Sequence, residues 1–193
     1  MASRTPAVAC IGIIGKLNNP LHISIFPTIS ASETDPLEFS FLLSTSLDIF
    51  EARLASGQKT DSSDFGLLQA IDENLAMYGW LTNTSVKIVI VIDMLGHTPA
   101  ASPLTSETSA QRDPRSTLAA ATGLRDADLK PAFRALQNAY IGLLRNPFYD
   151  PDHHSPVTAK AERRVGSTQI SSKAFIREVK RIGDAWYPGV GSL

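Results

Sequence analysis

The chain has 193 residues, 43% of them hydrophobic and 19% charged, a composition typical of one globular domain with a single core. Its formal net charge is −1, so it lacks the basic excess that nucleic-acid phosphates require, and we expect no nucleic-acid partner. The single cysteine, Cys10, excludes an internal disulfide; because it lies in an apolar run, we predict a buried thiol in a reducing compartment.

The N-terminal residues imitate two functional signals without completing either. Arg4 and the apolar run before Lys16 resemble a secretory signal, but no small-residue cleavage pattern follows. No apolar stretch approaches the roughly 20 residues of a membrane-spanning helix, so we expect a cytoplasmic protein without a transmembrane segment. Gly12, Gly15 and Lys16 superficially resemble a phosphate-binding loop, but the glycine spacing is wrong and a turn and strand are predicted next.

Five segments have the patterns of β-strands. Residues 7–14 are apolar without alternation, which predicts a strand buried on both faces, and the alternating "LHISIF" predicts its hairpin partner. Residues 65–71, 75–82 and 85–93 predict three more strands joined by the short turns "DEN" and "NTS". Turns this short join antiparallel neighbours, so we predict an antiparallel sheet.

A first helix is predicted between the two groups of strands. It should begin at an Asp35 cap, with Pro36 at the first helical position and Glu38 completing a capping box, and end at Gly57. The alternation at residues 37–41 is also compatible with a strand, and the cap signals and length favour the helix. The predicted apolar stripe consists of Phe39, Leu43, Leu47, Phe50 and Leu54.

A second helix should begin at a cap, either Asp126 or Asp128, and end at Arg145 or Asn146, since Pro147 disfavours helical angles before it. Its apolar stripe consists of Leu129, Phe133, Leu136, Tyr140, Leu143 and Leu144.

A third helix should begin at a cap, either Ser171 or Ser172. The side chains predicted to face inward are Phe175, Ile176, Val179, Ile182 and Trp186. Its outer face is basic, with the cations Lys173, Arg177, Lys180 and Arg181. This pattern is typical of a solvated surface; the alternative is a contact with a partner or a membrane.

The order of elements, β-β-α-β-β-β-α-α, predicts an α+β fold in a single domain of residues 1–193. Strands buried on both faces require helices on both sides of the five-stranded sheet. Residues 94–125 have few large apolar side chains and residues 155–170 are polar and partly basic, so both are predicted to be flexible inserts.

No segment has a convincing catalytic pattern. "NPFYDPD" is typical of a helix terminator, with Phe148 and Tyr149 free to pack back over the helix end. Asp152, His153 and His154 form the triplet of one phosphoesterase family, but no preceding strand and no further acidic ligands accompany them. We predict no catalytic residue, no cofactor and no metal site; a metal-dependent phosphoesterase using this triplet is the enzyme alternative.

Five segments of the chain together carry a family resemblance. They are "VACIGIIGKLNNPLHISIF", "FLLSTSLDIFEARL", "FGLLQAIDENLAMYGWLTNTSVKIVIVID", "FRALQNAYIGLLRNPFYDPD" and "SSKAFIREVKRI". The most specific parts are "SLD" in the first predicted helix and "NPFY" after the second. In this order the segments resemble the small sedlin-type subunits of the TRAPP vesicle-tethering complex.

The resemblance implies a longin-like, or SNARE-like, fold, with the first helix on one face of the sheet and the other two on the opposite face. It implies a non-catalytic adaptor that supports the TRAPPII-type form of the complex, which promotes nucleotide exchange on Rab-family GTPases. The implied partners are other TRAPP subunits, including large TRAPPII-type ones, and indirectly Rab GTPases. The implied location is peripheral, at Golgi and ER-Golgi membranes. The inserts at 94–125 and 155–170 are longer than the family's usual connectors.

Two sets of residues are candidates for partner binding. Asp48 lies off the apolar stripe of the first helix, beside Phe41, Thr45 and Ala52, where it can pair with a basic group on a partner. The "SLD" motif of the family contains it. The second set is Asn146, Pro147, Phe148 and Tyr149.

A free-standing longin-type module is the remaining alternative. The same fold serves as the regulatory domain of vesicle SNAREs, although no SNARE heptad segment follows here. The fold can also hold an apolar cavity, which would suit a small-molecule or lipid binder.

Overall fold

The chain forms one β-sheet and three helices. The computed structural model describes residues 5–28, 36–56, 63–96, 124–150 and 169–193. The elements are β1 (Ala7–Ile14), β2 (Pro20–Ile25), α1 (Pro36–Ala55), β3 (Asp64–Ala70), β4 (Leu75–Leu81), β5 (Lys87–Asp93), α2 (Asp126–Leu144) and α3 (Lys173–Ala185). The predicted cap at Asp35, the predicted stop at Gly57 and most of both predicted inserts lie outside the described residues.

The strands pair in the order β2-β1-β5-β4-β3, with every neighbouring pair antiparallel. All five predicted strands are confirmed within two residues at each end. The central strands β1 and β5 are buried along their whole length. The predicted α+β fold is therefore confirmed, and this arrangement is that of a longin-like domain.

Helices cover both faces of the sheet, as predicted. On one face, Cys10 and Ile14 of β1 pack in an apolar cluster with residues of α1, which are Phe39, Leu43 and Phe50. On the other face, Ile11 and Ile13 pack in a second cluster with residues of α2 and α3, which include Leu129, Phe133, Leu136, Val179 and Ile182. The sheet thus separates two hydrophobic cores, one covered by α1 and the other by α2 and α3.

A β-bulge interrupts the alternation of β1. Val8 pairs with Ile92 and Cys10 pairs with Val91, so Ala9 is the extra residue. As a result Ala9 and Cys10 both belong to the cluster on the α1 side, although they are adjacent in sequence. Cys10 has no exposed surface and its burial raises the pKa of the thiol to about 12, which confirms the predicted buried thiol.

The buried stripe of α1 differs from the predicted one at two positions. Phe39, Leu43 and Phe50 are buried as predicted, but Leu47 is only half-buried and Leu54 is 50% exposed. Ser46 is buried instead, and its hydroxyl donates to the carbonyl oxygen of Leu43 at 2.6 Å. This bond satisfies the polar side chain inside the helix and lets the buried stripe include a serine that hydrophobicity alone does not select.

The N-terminal cap of α2 was predicted at the wrong residue. The cap is Arg125, neither Asp126 nor Asp128. Asp128 lies three residues after this cap and takes part in a capping box: its carboxylate accepts a hydrogen bond from the backbone N–H of Arg125 at 3.0 Å. The last helical residue is Leu144, and Arg145 is the C-cap, within one residue of the predicted end.

The segment before α3 is attached to the edge of the sheet. Ile170 is buried, and its N–H donates to the carbonyl oxygen of Leu21 in β2 at 2.7 Å. The end of the predicted insert 155–170 is therefore ordered against β2, while residues 155–168 lie outside the described residues. The cap of α3 is Ser172, one of the two predicted serines.

His22 makes the stability of this region depend on pH. Its ring is buried, and Nε2 forms a hydrogen bond with the Ser24 hydroxyl at 2.7 Å. The ring also packs edge-on against that of Phe175, with the two centroids 5.8 Å apart. Burial lowers its pKa from 6.5 in the folded chain. Since the unfolded chain keeps the higher pKa, it binds a proton first, so stability is full above pH 6.5 and falls as the pH decreases below it.

We expect the melting temperature of the wild type to fall between pH 7.5 and pH 5.5 by more than that of His22→Gln. The variant removes the titrating ring and retains a polar side chain. Thermal unfolding followed by circular dichroism at several pH values measures the difference. Parallel melting curves for the two proteins would contradict the assignment to His22.

Candidate partner-binding surfaces

The outer face of α1 is partly apolar. We define it as the residues that lie opposite the sheet, which are Leu37, Phe41, Thr45, Asp48 and Ala52; all five are exposed. Leu37 is 60% exposed and Phe41 is 64% exposed. A solvent-facing helix side is normally polar, so two exposed large apolar side chains make this face a candidate for partner binding.

Asp48 is the single charge on this face. Its position off the buried stripe, on the same side of the helix as Phe41, is as predicted. Within the described ranges its carboxylate has no hydrogen bond and no ion pair. It follows Phe41 by seven residues, or two turns, which places the charge about 10 Å along the helix from the ring. A complementary surface needs an apolar pocket and a basic group at that separation.

Glu51, one turn after Asp48, has a structural role instead. Its carboxylate accepts a hydrogen bond from the Asn18 amide at 3.0 Å, and the Asn18 oxygen accepts one from the Lys87 ammonium at 2.7 Å. Lys87 is buried, and desolvation lowers its pKa while Glu51 acts to raise it. These hydrogen bonds connect α1 to the β1–β2 turn. Asp48, unlike Glu51, forms no such bond with the described residues.

The second candidate set, residues 146–149, forms a tight turn after α2. The Asn146 side-chain oxygen accepts a hydrogen bond from the N–H of Phe148 at 3.2 Å, and its carbonyl accepts one from the N–H of Tyr149 at 3.0 Å. Pro147 occupies the second position, where its fixed φ suits a turn. These hydrogen bonds hold the four residues in one ordered turn. We call this segment the NPFY turn.

The two aromatic residues of the NPFY turn point in opposite directions. Tyr149 packs against the cluster under α2 and α3, and burial raises the pKa of its hydroxyl well above the usual value. Phe148 is 95% exposed. The prediction that both rings pack back over the helix end is therefore confirmed for Tyr149 and wrong for Phe148, whose ring is held out in solvent by an ordered turn.

A groove of about 320 Å³ lies beside the NPFY turn, between α2 and α3. The lining residues include Ala139, Gly142, Asn146, Phe175 and Glu178. A side chain at Gly142 would touch nothing within 4 Å, so the groove is open at this position. The Asp48 side of α1 and the NPFY turn therefore form separate surfaces, on helices that cover opposite faces of the sheet.

The described ranges contain no group of three or more His, Cys, Asp or Glu residues that is close enough to hold a metal ion. Asp152, His153 and His154 lie outside the described residues. Gly12 lies in β1 beneath Leu43, and Lys16 begins a turn that leads into β2, so this segment has no helix at the place where a phosphate-binding loop requires one. None of the described helices is both long and apolar enough to cross a bilayer.

The five-stranded antiparallel sheet, with one helix on one face and two on the other, defines a longin-like α+β protein. The chain belongs to the sedlin family, whose model matches residues 13–185.

Curated relatives extend over most of the chain. It is 29% identical over 175 residues to the trafficking protein particle complex subunit 2-like protein of Dictyostelium discoideum, covering 91% of this chain and 95% of the relative. It is 32% identical over 146 residues to the protein of the same name from Mus musculus, covering 74% and 83%. The protein of that name from Bos taurus is 30% identical over the same length.

Proposed function

We propose that this chain is a non-catalytic subunit of a TRAPP vesicle-tethering complex. Family membership and the names of the relatives support this role. The observation that carries it in the structure is the outer face of α1, where two large apolar side chains and an unpaired carboxylate are exposed together. A chain that functioned alone would gain solubility from polar residues at these positions.

The finer proposal is that the chain supports assembly or stability of the TRAPPII-type form, at Golgi and ER-Golgi membranes, and acts on Rab GTPases only through the complex. The outer face of α1 is the surface that we assign to a neighbouring subunit. Its apolar half would insert Leu37 and Phe41 into a partner pocket, and Asp48 would pair with an arginine or lysine. Charge pairs at the border of an apolar contact improve specificity and association rate more than affinity.

Gentle affinity purification of the tagged full-length chain from its own cells tests both levels of this proposal. Mass spectrometry should identify other TRAPP subunits among the co-purifying chains, and the large TRAPPII-type subunits support the finer proposal. Recovery of TRAPP subunits without those large chains would restrict the proposal to complex membership. Recovery of the chain without any TRAPP subunit would overturn it.

Asp48→Tyr is expected to reduce recovery of partner subunits at least about tenfold, because it replaces a charge with a bulky ring in the contact. Its free energy of unfolding should change by less than about 0.5 kcal/mol, since the carboxylate is exposed and contacts no described residue. Quantitative mass spectrometry after purification measures the first effect and urea unfolding the second.

Asp72→Tyr is the matched control. Asp72 is an exposed carboxylate in the β3–β4 turn and is not part of the outer face of α1, so the same substitution there should leave recovery unchanged. Equal recovery from Asp48→Tyr and wild type would show that Asp48 does not contribute to assembly. A large loss of stability in Asp48→Tyr would show that its effect is on folding.

A further inference from the structure

The outer side of the layer formed by α2 and α3 is basic. On α3 the cations Lys173, Arg177 and Lys180 recur after four and three residues, which places them on one stripe. Arg134 on α2 and Arg145 at its end add two more exposed cations. We call these five residues the basic face. In the part of the chain that the structure describes, no carboxylate forms an ion pair with any of them.

The two carboxylates of α3 form no ion pair with the basic face. Glu178 lines the groove between α2 and α3 and binds Arg181, at 2.7 and 3.1 Å. Asp184 lies at the C-terminal end of α3. With four cations and two carboxylates, α3 has a net charge of +2, whereas α1 has three carboxylates and one cation and a net charge of −2. α2 has two cations and two carboxylates and adds no net charge, so the two helices on one side of the sheet total +2 and the helix on the other side −2, in a chain whose total charge is −1.

Exposed apolar side chains belong to the same helix layer. Phe148 is 95% exposed, and Tyr187, directly after α3, is 51% exposed. Ile141 and Leu144, near the end of α2, are 38% and 37% exposed. Cations combined with projecting aromatic and aliphatic side chains characterise proteins that bind an anionic membrane surface, where the cations contact lipid headgroups and the apolar side chains enter the interface.

We propose that this helix layer binds an anionic lipid bilayer. The basic face attracts phosphatidylserine-type headgroups, and Phe148, held outward by the NPFY turn, inserts at the boundary between headgroups and acyl chains. The outer face of α1, on the far side of the sheet, stays available for a protein partner. This membrane surface goes beyond the subunit role proposed above and does not depend on it.

Vesicle co-sedimentation with the purified full-length chain tests the proposal. Vesicles with equal parts of phosphatidylcholine and phosphatidylserine should bind the chain at low salt, release it at high salt, and bind it far better than pure phosphatidylcholine vesicles. Arg177→Glu should lower the partition coefficient at least about fivefold, since each cation near such a surface contributes roughly 1 kcal/mol. Phe148→Ser should weaken binding by a similar factor that is much less sensitive to salt.

Matched controls are available in the β1–β2 turn, which contacts α1 through Asn18 and Glu51. Lys16→Glu makes the same charge change as Arg177→Glu, and Leu17→Ser removes a side chain that is 54% exposed. Neither should change vesicle binding. Equal effects of the control and test variants, or wild-type binding that does not depend on phosphatidylserine, would overturn the proposal. Co-purification of partner subunits with Arg177→Glu, measured in parallel, tests the subunit role independently of vesicle binding.

Discussion

Arg53→Ala is expected to lower the free energy of unfolding by about 2–4 kcal/mol, because Arg53 covers the free edge of the sheet. Its guanidinium donates to the carbonyl oxygens of Phe65 and Leu67, each at 2.7 Å, and to that of Leu68 at 3.3 Å. These carbonyls belong to β3, which is an edge strand. Without Arg53 they would lose charge-assisted partners, and the strand would be exposed to pairing with another chain.

Urea unfolding of Arg53→Ala and Arg53→Lys measures this contribution. Lysine keeps the charge but has one compact ammonium group, so it should recover less than half of the loss. Arg134→Ala, at an exposed position on α2, is the control and should change stability by less than about 0.5 kcal/mol. Wild-type stability in Arg53→Ala would mean that solvent satisfies the edge carbonyls equally well.

Gly183→Ala is expected to destabilise the chain by about 1–3 kcal/mol, although alanine favours a helix. A Cβ at this position would overlap the ring of Phe26, which is 1% exposed and lies in the core beneath α2 and α3. The glycine lets α3 approach the sheet closely. The cost of overpacking a buried ring therefore exceeds the roughly 1 kcal/mol that alanine gains in helix propensity.

Gly142→Ala is the matched control, because Gly142 is also helical and an added Cβ there meets nothing within 4 Å. It should stabilise the chain by about 0.5–1 kcal/mol. Thermal and urea unfolding of both variants show directly whether the free energy of unfolding falls in Gly183→Ala and rises in Gly142→Ala. Phe26→Leu in the Gly183→Ala background should recover part of the loss, and if it does not, the overlap with Phe26 is not the cause.

The sheet was predictable from sequence because its signals are local. The continuous apolar runs of β1 and β5 require cover on both faces, and the short turns between the last three strands allow only antiparallel pairing. The bulge at Ala9 was not predictable, because an apolar run without alternation looks the same with or without an extra residue.

The candidate surfaces were only partly predictable. The helical period places Asp48 opposite the buried stripe, so its exposure follows from spacing. The exposure of Phe148 depends on a turn in which Asn146 accepts hydrogen bonds from two backbone N–H groups, and residue types indicate such a turn but do not determine it. The role of Arg53 depends on a strand that follows it after a loop, and no periodic pattern within α1 distinguishes it from a solvated arginine.

The division of the core by the sheet has an energetic consequence. Phe50 and Phe133 are both fully buried, but they belong to clusters on opposite faces and have the sheet between them. Substitutions at such positions have no shared neighbours among side chains, so their free-energy changes should add. The face that carries the outer surface of α1 can therefore accumulate changes without altering the packing beneath α2 and α3, and a single scaffold can maintain two independently adjustable surfaces.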